Sequence, residues 1–274
     1  MKKMRKKVYM TAGYNTISMG TGRKEFHPKK ERPGLEHYIK EAGQGVLKQI
    51  GGAEKVDESV IGNFMSARFN KQAHLGGFAG AIDPKLEFKP SCGVEGACGS
   101  GGLSLVTSLR SVLSDSSDVV LSIGVEVQNT VKAIYGADIL AGAGYFDKRK
   151  HGHAYFFPGQ FSDRAGAYYQ KYGYDYARSG MRQWFVNAIE NARLDPTAQE
   201  YHNAVPDLVN AYACHFHGSG CSLFNGCQFG RLRRIDGYIA CKLCPSGNFH
   251  SIFFVNAHAL QTFFRAYDNT TGAI

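Results

Sequence analysis

The stretch Val94-Glu95-Gly96-Ala97-Cys98-Gly99-Ser100-Gly101-Gly102 constrains this chain more than any other, because it surrounds one cysteine with residues that suit a sharp change of backbone direction. Upstream, Leu86-Glu87-Phe88-Lys89 alternates apolar and polar residues and stops at Pro90, which predicts a short extended approach. Downstream, Leu103, Val106, Leu109 and Leu113 recur at helical spacing. The run Ser114-Asp115-Ser116-Ser117-Asp118 then breaks the helix before a strand at Val119-Val120-Leu121-Ser122-Ile123. The predicted order is strand, cysteine, helix, strand. At such a turn the first amide N–H groups of the helix are unpaired and its dipole adds partial positive charge, so both favour a thiolate at Cys98. The glycines let an acyl thioester approach the backbone closely. The plainer reading is a small buried cysteine at a tight turn.

The same alternation runs through the first half of the chain. Leu35, Tyr38, Ile39, Ala42, Val46, Leu47 and Ile50 form an apolar stripe on a helix that ends near Gly51-Gly52. Val8-Tyr9-Met10-Thr11 reads as a first strand and Ser59-Val60-Ile61-Gly62-Asn63-Phe64-Met65 as another, with a glycine-interrupted helix over residues 72–81. This pattern predicts an α/β fold, a sheet covered by helices on both faces. From Val131 the character changes: residues 133–144 are rich in alanine and glycine, and residues 145–161 are aromatic with basic and histidine insertions. Two helices are expected next. The first carries Phe161, Ala165, Tyr168, Tyr169 and Tyr172. The second, capped by Ser179, carries Met181, Trp184, Phe185, Ala188, Ile189 and Ala192 and stops at Leu194-Asp195-Pro196. Both stripes are read as core. After about Asn203 the pattern weakens, and Cys214, His215, His217, Cys221, Cys227, Cys241, Cys244 and His250 crowd a stretch with little helical period.

A chain of 274 residues with 43% hydrophobic and 20% charged residues can bury a full core as one large or two small domains. No run approaches the roughly 20 apolar residues of a membrane span. The basic start, Met1-Lys2-Lys3-Met4-Arg5-Lys6-Lys7, leads into residues 8–11 without the apolar segment of a secretion signal, so the expected location is cytoplasmic, with an organellar matrix left open. Seven cysteines without paired spacing read as reduced thiols. The net charge of +9 suggests an anionic partner without choosing one, because the basic clusters at residues 2–7, 29–32, 148–150 and 231–234 are separate. Coenzyme A, through its phosphates, suits such patches, and so does nucleic acid.

With the turn placed, Cys98-Gly99-Ser100-Gly101 resembles the nucleophile motif of the thiolase family, in which a cysteine is followed by any residue, serine and glycine. The resemblance extends over roughly residues 8–203. Ile123-Gly124-Val125-Glu126 is similar to the family's Gly-x-Glu segment, and Phe157-Pro158-Gly159 leads into a helix as in the family. Asp195-Pro196-Thr197-Ala198-Gln199 is similar to its Asn-Pro-x-Ala-Gln segment, with aspartate in place of asparagine. The resemblance implies a thiolase-like mixed sheet covered by helices. It implies a nucleophile-bearing N-terminal core over residues 1–132, a loop domain covering coenzyme A over residues 133–203, and a diverged Cys/His-rich tail over residues 204–274. It also implies acyl transfer through an acyl-Cys98 intermediate, in Claisen condensation or thiolysis, with acetyl-CoA or another acyl-CoA as substrate and no bound cofactor. The Cys98 backbone N–H would donate to the oxyanion, and edge strands of the nucleophile half would pair in a homodimer. Glu126 is assigned to the scaffold, because a carboxylate beside a thiolate would oppose its activation. The family's second core domain, with its Asn-Glu-x-Phe, Gly-His-Pro and Cys-x-Gly segments, has no counterpart in the sequence. The expectation is a truncated thiolase with impaired turnover.

Two other readings stand beside this one. A non-catalytic thiolase-like subunit would bind acyl-CoA, or pair with a full-length relative, without acylating Cys98. A zinc or nucleic-acid module would use Cys241-Lys242-Leu243-Cys244 with Cys221 and Cys227, or His250, although the first pair is spaced more widely than the usual two to four residues.

Overall fold

The computed structural model describes residues 6–20, 23–27, 29–145 and 155–202. They fall into two units, the first drawn from Met1–Thr16 and Arg32–Val127, the second from Ile17–Glu31 and residues 128–202. The Cys/His-rich tail, its proposed zinc ligands and two of the basic clusters lie outside the described residues.

The first unit is built on a three-stranded parallel sheet. Helix α1 (Leu35–Ile50) precedes strand β1 (Glu58–Gly62), the short helices α2 (Ser66–Phe69) and α3 (Ala79–Ile82) lead to β2 (Ser91–Val94), and α4 (Ser100–Leu113) leads to β3 (Val120–Gly124). The order is β2-β1-β3, so β1 is central, with Val60 level with Cys92 on one side and Ser122 on the other. Val60 and Ile61 are fully buried, as expected of a strand covered on both faces. The mixed sheet implied by the family resemblance is therefore parallel throughout among the described residues.

Helix α1 follows its sequence closely. Leu35, Tyr38, Ile39, Ala42 and Leu47 are buried, and Val46 and Ile50 pack against the same core with Ile61, Leu121, Ile123 and Val125. It stops where Gly51 turns left-handed (φ 84°), and the Gly51 and Gly52 amides both return to the Leu47 carbonyl at 3.0 Å. At the amino end of the sheet, the Asp57 carboxylate accepts from the Asp118 and Val119 amides at 3.0 and 2.9 Å, which fixes the start of β3 beside β1.

Three sequence expectations in this unit are corrected. Residues 8–11 join no ladder: Tyr9 is 73% exposed and Met10 also faces solvent, so the alternation has no buried face behind it. The extended approach is Ser91–Val94 and not residues 86–89. Asp83 caps a 3₁₀ turn over Pro84–Leu86, accepting from the Lys85 amide at 2.9 Å, and this Asp-Pro start overrides the alternating pattern. The helix over residues 72–81 shortens to a 3₁₀ turn, Leu75–Phe78, followed by α3.

The second unit contains α5 (Ala133–Leu140), α6 (Phe156–Tyr172) and α7 (Tyr174–Leu194). The break between the last two is Gly173 at φ 88°, not Ser179, whose hydroxyl lies inside α7 and donates to the Tyr176 carbonyl at 2.7 Å. The expected core stripes are largely exposed. Trp184 is 75% exposed, and Phe161, Tyr168, Tyr172 and Met181 also face solvent, whereas the buried positions are Gly159, Ala177 and Ile189. Helical periodicity identifies side chains that share a direction, and it does not say what covers them. In the same unit Arg23 is buried and donates to the Pro196 and Ala198 carbonyls at 2.7 and 2.8 Å, so residues 17–31 are tied to the Asp195-Pro196-Thr197-Ala198 segment. Its pairing with Glu25 holds that carboxyl well below the usual range, at about 2.

Candidate functional site

In a parallel sheet the turns that can host ligands gather at the carboxyl ends of the strands. Three such turns lie together here. Asn63, just past β1, donates its backbone N–H to the Val94 carbonyl at the end of β2 at 3.0 Å, and its side-chain amide to the Val125 carbonyl past β3 at 2.7 Å. The Val125 amide in turn donates to the Gly62 carbonyl at 3.0 Å. Asn63 Oδ1 accepts from the Ser66 amide, which starts α2. One asparagine thus joins the three strand ends.

From Val94 the chain enters the cysteine turn. Residues Ala97–Gly99 form a single 3₁₀ turn directly before α4, and Ala97 sits in the left-handed region at φ 50°, which is costly for a residue with a side chain. The Glu95 carboxylate accepts from the Ala97 amide at 2.5 Å, the Gly99 amide donates to the Gly96 carbonyl at 2.9 Å, and the Ser100 hydroxyl accepts from the Gly96 amide at 3.0 Å while donating to the Ala97 carbonyl at 2.7 Å. Cys98 is exposed and its thiol is free. Among the described residues, no acceptor takes the Cys98 N–H.

This placement refines the sequence reading. The strand, cysteine, helix order is as expected, but the amides of Ala97 and Gly99 are engaged within the turn. The uncommitted donor is the Cys98 N–H itself. A strained strand-to-helix turn with an exposed nucleophilic atom and an open backbone N–H is an arrangement that acyl-transfer sites use.

Helix α4 reaches the sheet through serines and not through its leucines. Ser100, Ser104 and Ser108 are buried at four-residue intervals and bring the helix close to β1 and β3, and Ser122 of β3 donates to Ser104 Oγ at 3.0 Å. Leu103 and Leu109 are only partly covered and Val106 is exposed. Gly62 makes the close approach possible: a Cβ there would lie 2.3 Å from the Ser100 carbonyl oxygen. The glycine at the end of β1 was the sequence signal for this contact, and it was readable only once the helix had been placed over it.

Glu126 lies just past β3 and is buried. One carboxylate oxygen accepts from the Phe64 and Met65 amides at 2.9 and 3.3 Å, while the other has no partner among the described residues. Burial pushes its carboxyl above the ordinary range, against the opposing pull of those two amides and Asn63. Its contacts lie with the β1–α2 turn, as the scaffold reading expects. Cys92, on β2, is the other described free cysteine, and burial first and Glu58 second push its thiol up, away from reactivity.

Among the described residues, no group of three or more histidine, cysteine, aspartate or glutamate side chains is placed to hold a metal ion. No helix among them is long and apolar enough to cross a membrane.

No family model matches the chain. Curated proteins do match it, among them two acetyl-CoA acetyltransferases. An acetyl-CoA acetyltransferase of Methanothermobacter thermautotrophicus is 31% identical over 165 residues, 59% of this chain and 41% of the relative. An acetyl-CoA acetyltransferase of Methanocaldococcus jannaschii is 31% identical over 186 residues, 66% of this chain and 45% of the relative. The chain thus spans less than half the length of the curated relatives it matches. The two similarities support a thiolase-family relationship, in agreement with the Cys98 motif.

Proposed function

We propose that this chain is a thiolase-like acyl-CoA acyltransferase that works through an acyl-cysteine at Cys98. The observation that carries the reading is the exposed free thiol of Cys98 on a strand-to-helix turn whose own N–H is uncommitted. In the first step the Cys98 thiolate attacks the thioester carbonyl carbon of an acyl-CoA, acetyl-CoA being the substrate suggested by the relatives' names. Negative charge moves onto the carbonyl oxygen, where the Cys98 N–H donates to it. The carbon–sulfur bond to coenzyme A then breaks, and the departing thiolate takes up the proton that Cys98 released.

The acyl group next passes either to the thiol of a second coenzyme A, which is thiolysis, or to the α-carbanion of a second acyl-CoA, which is Claisen condensation. Both routes need proton transfer, and a positioned acid or base contributes about 10²- to 10⁴-fold. The described turn supplies a nucleophile and an oxyanion donor, so the acylation half-reaction is the step this reading assigns to Cys98 and its surroundings. Residues 133–203 serve in this reading as the loop domain over coenzyme A, and the assembly is a homodimer.

Intact-protein mass spectrometry after incubation with acetyl-CoA tests the reading, with Cys98→Ala as the comparison. One added acetyl group that disappears in the variant is the expected result. Acetyl-CoA binding without an adduct would replace this reading with that of a non-catalytic acyl-CoA-binding subunit.

A further inference from the structure

The backbone of the Cys98 turn is closed by one side chain that the mechanism above does not use. Ser100, the first residue of α4, is buried, and its hydroxyl bridges two backbone groups, accepting from the Gly96 amide at 3.0 Å and donating to the Ala97 carbonyl at 2.7 Å. Its helix neighbours show that this is more than a habit of serine in helices. Ser104 and Ser108 also donate to carbonyls of the preceding turn, at 2.7 and 2.9 Å, but Ser100 alone of the three takes a backbone N–H in return. The two groups it joins flank the left-handed Ala97, so the bridge spans the one strained residue of the turn. From below, Gly62 leaves room for the Ser100 carbonyl and for nothing larger.

The result is a backbone in which the amides of Gly96, Ala97 and Gly99 are all occupied and the N–H of Cys98 between them is not. Without the hydroxyl, the Gly96 amide would lose its acceptor, and Ala97 could relax toward the ordinary right-handed region. The peptide that follows Ala97 carries the Cys98 N–H, so that relaxation would turn the donor away.

We propose that Ser100 is a positioning residue for acyl transfer, its hydroxyl fixing the peptide between Ala97 and Cys98 so that the Cys98 N–H stays available to the developing oxyanion. This rests on Cys98 being the nucleophile proposed above. Ser100 itself touches no substrate in this account.

The test compares two reagents at the same thiol in wild type, Ser100→Ala and Ser100→Thr, read by mass spectrometry of the peptide that contains both Cys92 and Cys98. Iodoacetamide alkylates a thiolate by displacement at a saturated carbon and forms no oxyanion. S-acetyl-N-acetylcysteamine, a small thioester that needs no coenzyme A recognition, forms one. Ser100→Ala is expected to slow acetylation of Cys98 by about tenfold or more, a displaced donor costing less than the about 10²- to 10³-fold of one removed outright. Alkylation of Cys98 should change by less than about twofold, since its exposure does not depend on the hydroxyl. Labelling of Cys92 and the thermal unfolding midpoint report whether the fold as a whole has changed. Ser100→Thr, which keeps a hydroxyl, should restore acetylation.

Equal loss of acetylation and alkylation, loss at Cys92 as well, no loss at all, or a threonine variant that behaves like alanine would each overturn the proposal. Wild-type Cys98 that accepts acetyl from the small thioester but not from acetyl-CoA would count against the acyl-CoA reading alone and leave the role of Ser100 standing.

Discussion

Glu126 shows how a single carboxyl group can hold a strand end while opposing its own ionisation. It accepts two backbone amides, from Phe64 and Met65, that would otherwise be part-buried donors without acceptors. Its second oxygen has no partner among the described residues, and burial raises its pKa above the ordinary value of 4.5. The unfolded chain therefore ionises this carboxyl at lower pH than the folded one. Between those two values the folded state binds more protons, so stability falls as pH rises through the window and stays lower above it. Glu126→Gln keeps an acceptor oxygen without the charge. Urea unfolding from pH 4 to pH 8 should show a smaller decline with pH in this variant than in wild type, and parallel curves would exclude the linkage. Glu126→Ala leaves both amides unsatisfied and should cost about 1–3 kcal/mol at any pH in that range. The sequence assigned Glu126 to the scaffold from electrostatics alone, but the amides it holds lie some sixty residues earlier in the chain and could not be named from spacing.

Helix α4 and strand β1 are a matched pair whose fit depends on one missing side chain. Gly62 lies under the Ser100 carbonyl, and a Cβ at 2.3 Å from that oxygen and 2.8 Å from its carbon meets backbone that cannot swing aside. Gly62→Ala should therefore lift the first turn of α4 from the sheet, destabilise the unit by about 1–3 kcal/mol and displace the Cys98 turn with it. Thermal unfolding measures the first effect and acetylation of Cys98 the second, and wild-type values for both would refute the contact. Elements such as α1, β1 and β3 were legible in the sequence because their apolar residues face one continuous core and their ends carry glycine or turn residues. Residues 8–11 were misread because alternation without a partner strand makes no ladder, and residues 86–89 because the Asp83-Pro84 start decides the local backbone. For α6 and α7 the helices were legible and their environment was not. Gly173 sets the break, and the aromatic stripes taken for core face solvent.

At the scale of the whole molecule, the order β2-β1-β3 leaves β2 as an edge among the described residues. The Ser59 and Asn63 amides take the carbonyls of Pro90 and Val94, so alternate peptide groups of β2 face β1 and those of Ser91 and Gly93 face away. An exposed edge of this kind is a template for another strand. In the proposed homodimer the template is filled by β2 of a second copy, and a two-fold axis makes that pairing antiparallel. Residues near the axis then meet their own counterparts, which gives a sharp test. Gly93 has ordinary space around it, since a Cβ added there would have its nearest neighbours at 3.9 and 4.0 Å, so Gly93→Lys should leave the protomer folded. It would place two like charges close together across the axis, in a chain that already carries a net charge of +9. Light scattering at micromolar concentration should give twice the chain mass for wild type and a shift toward monomer for the variant, reversed in part by added salt, with the unfolding midpoint of the dilute monomer unchanged. A wild-type chain that scatters as a monomer would remove the homodimer from the proposed function, and a variant that stays dimeric would move the interface away from β2 while leaving the Cys98 chemistry untouched.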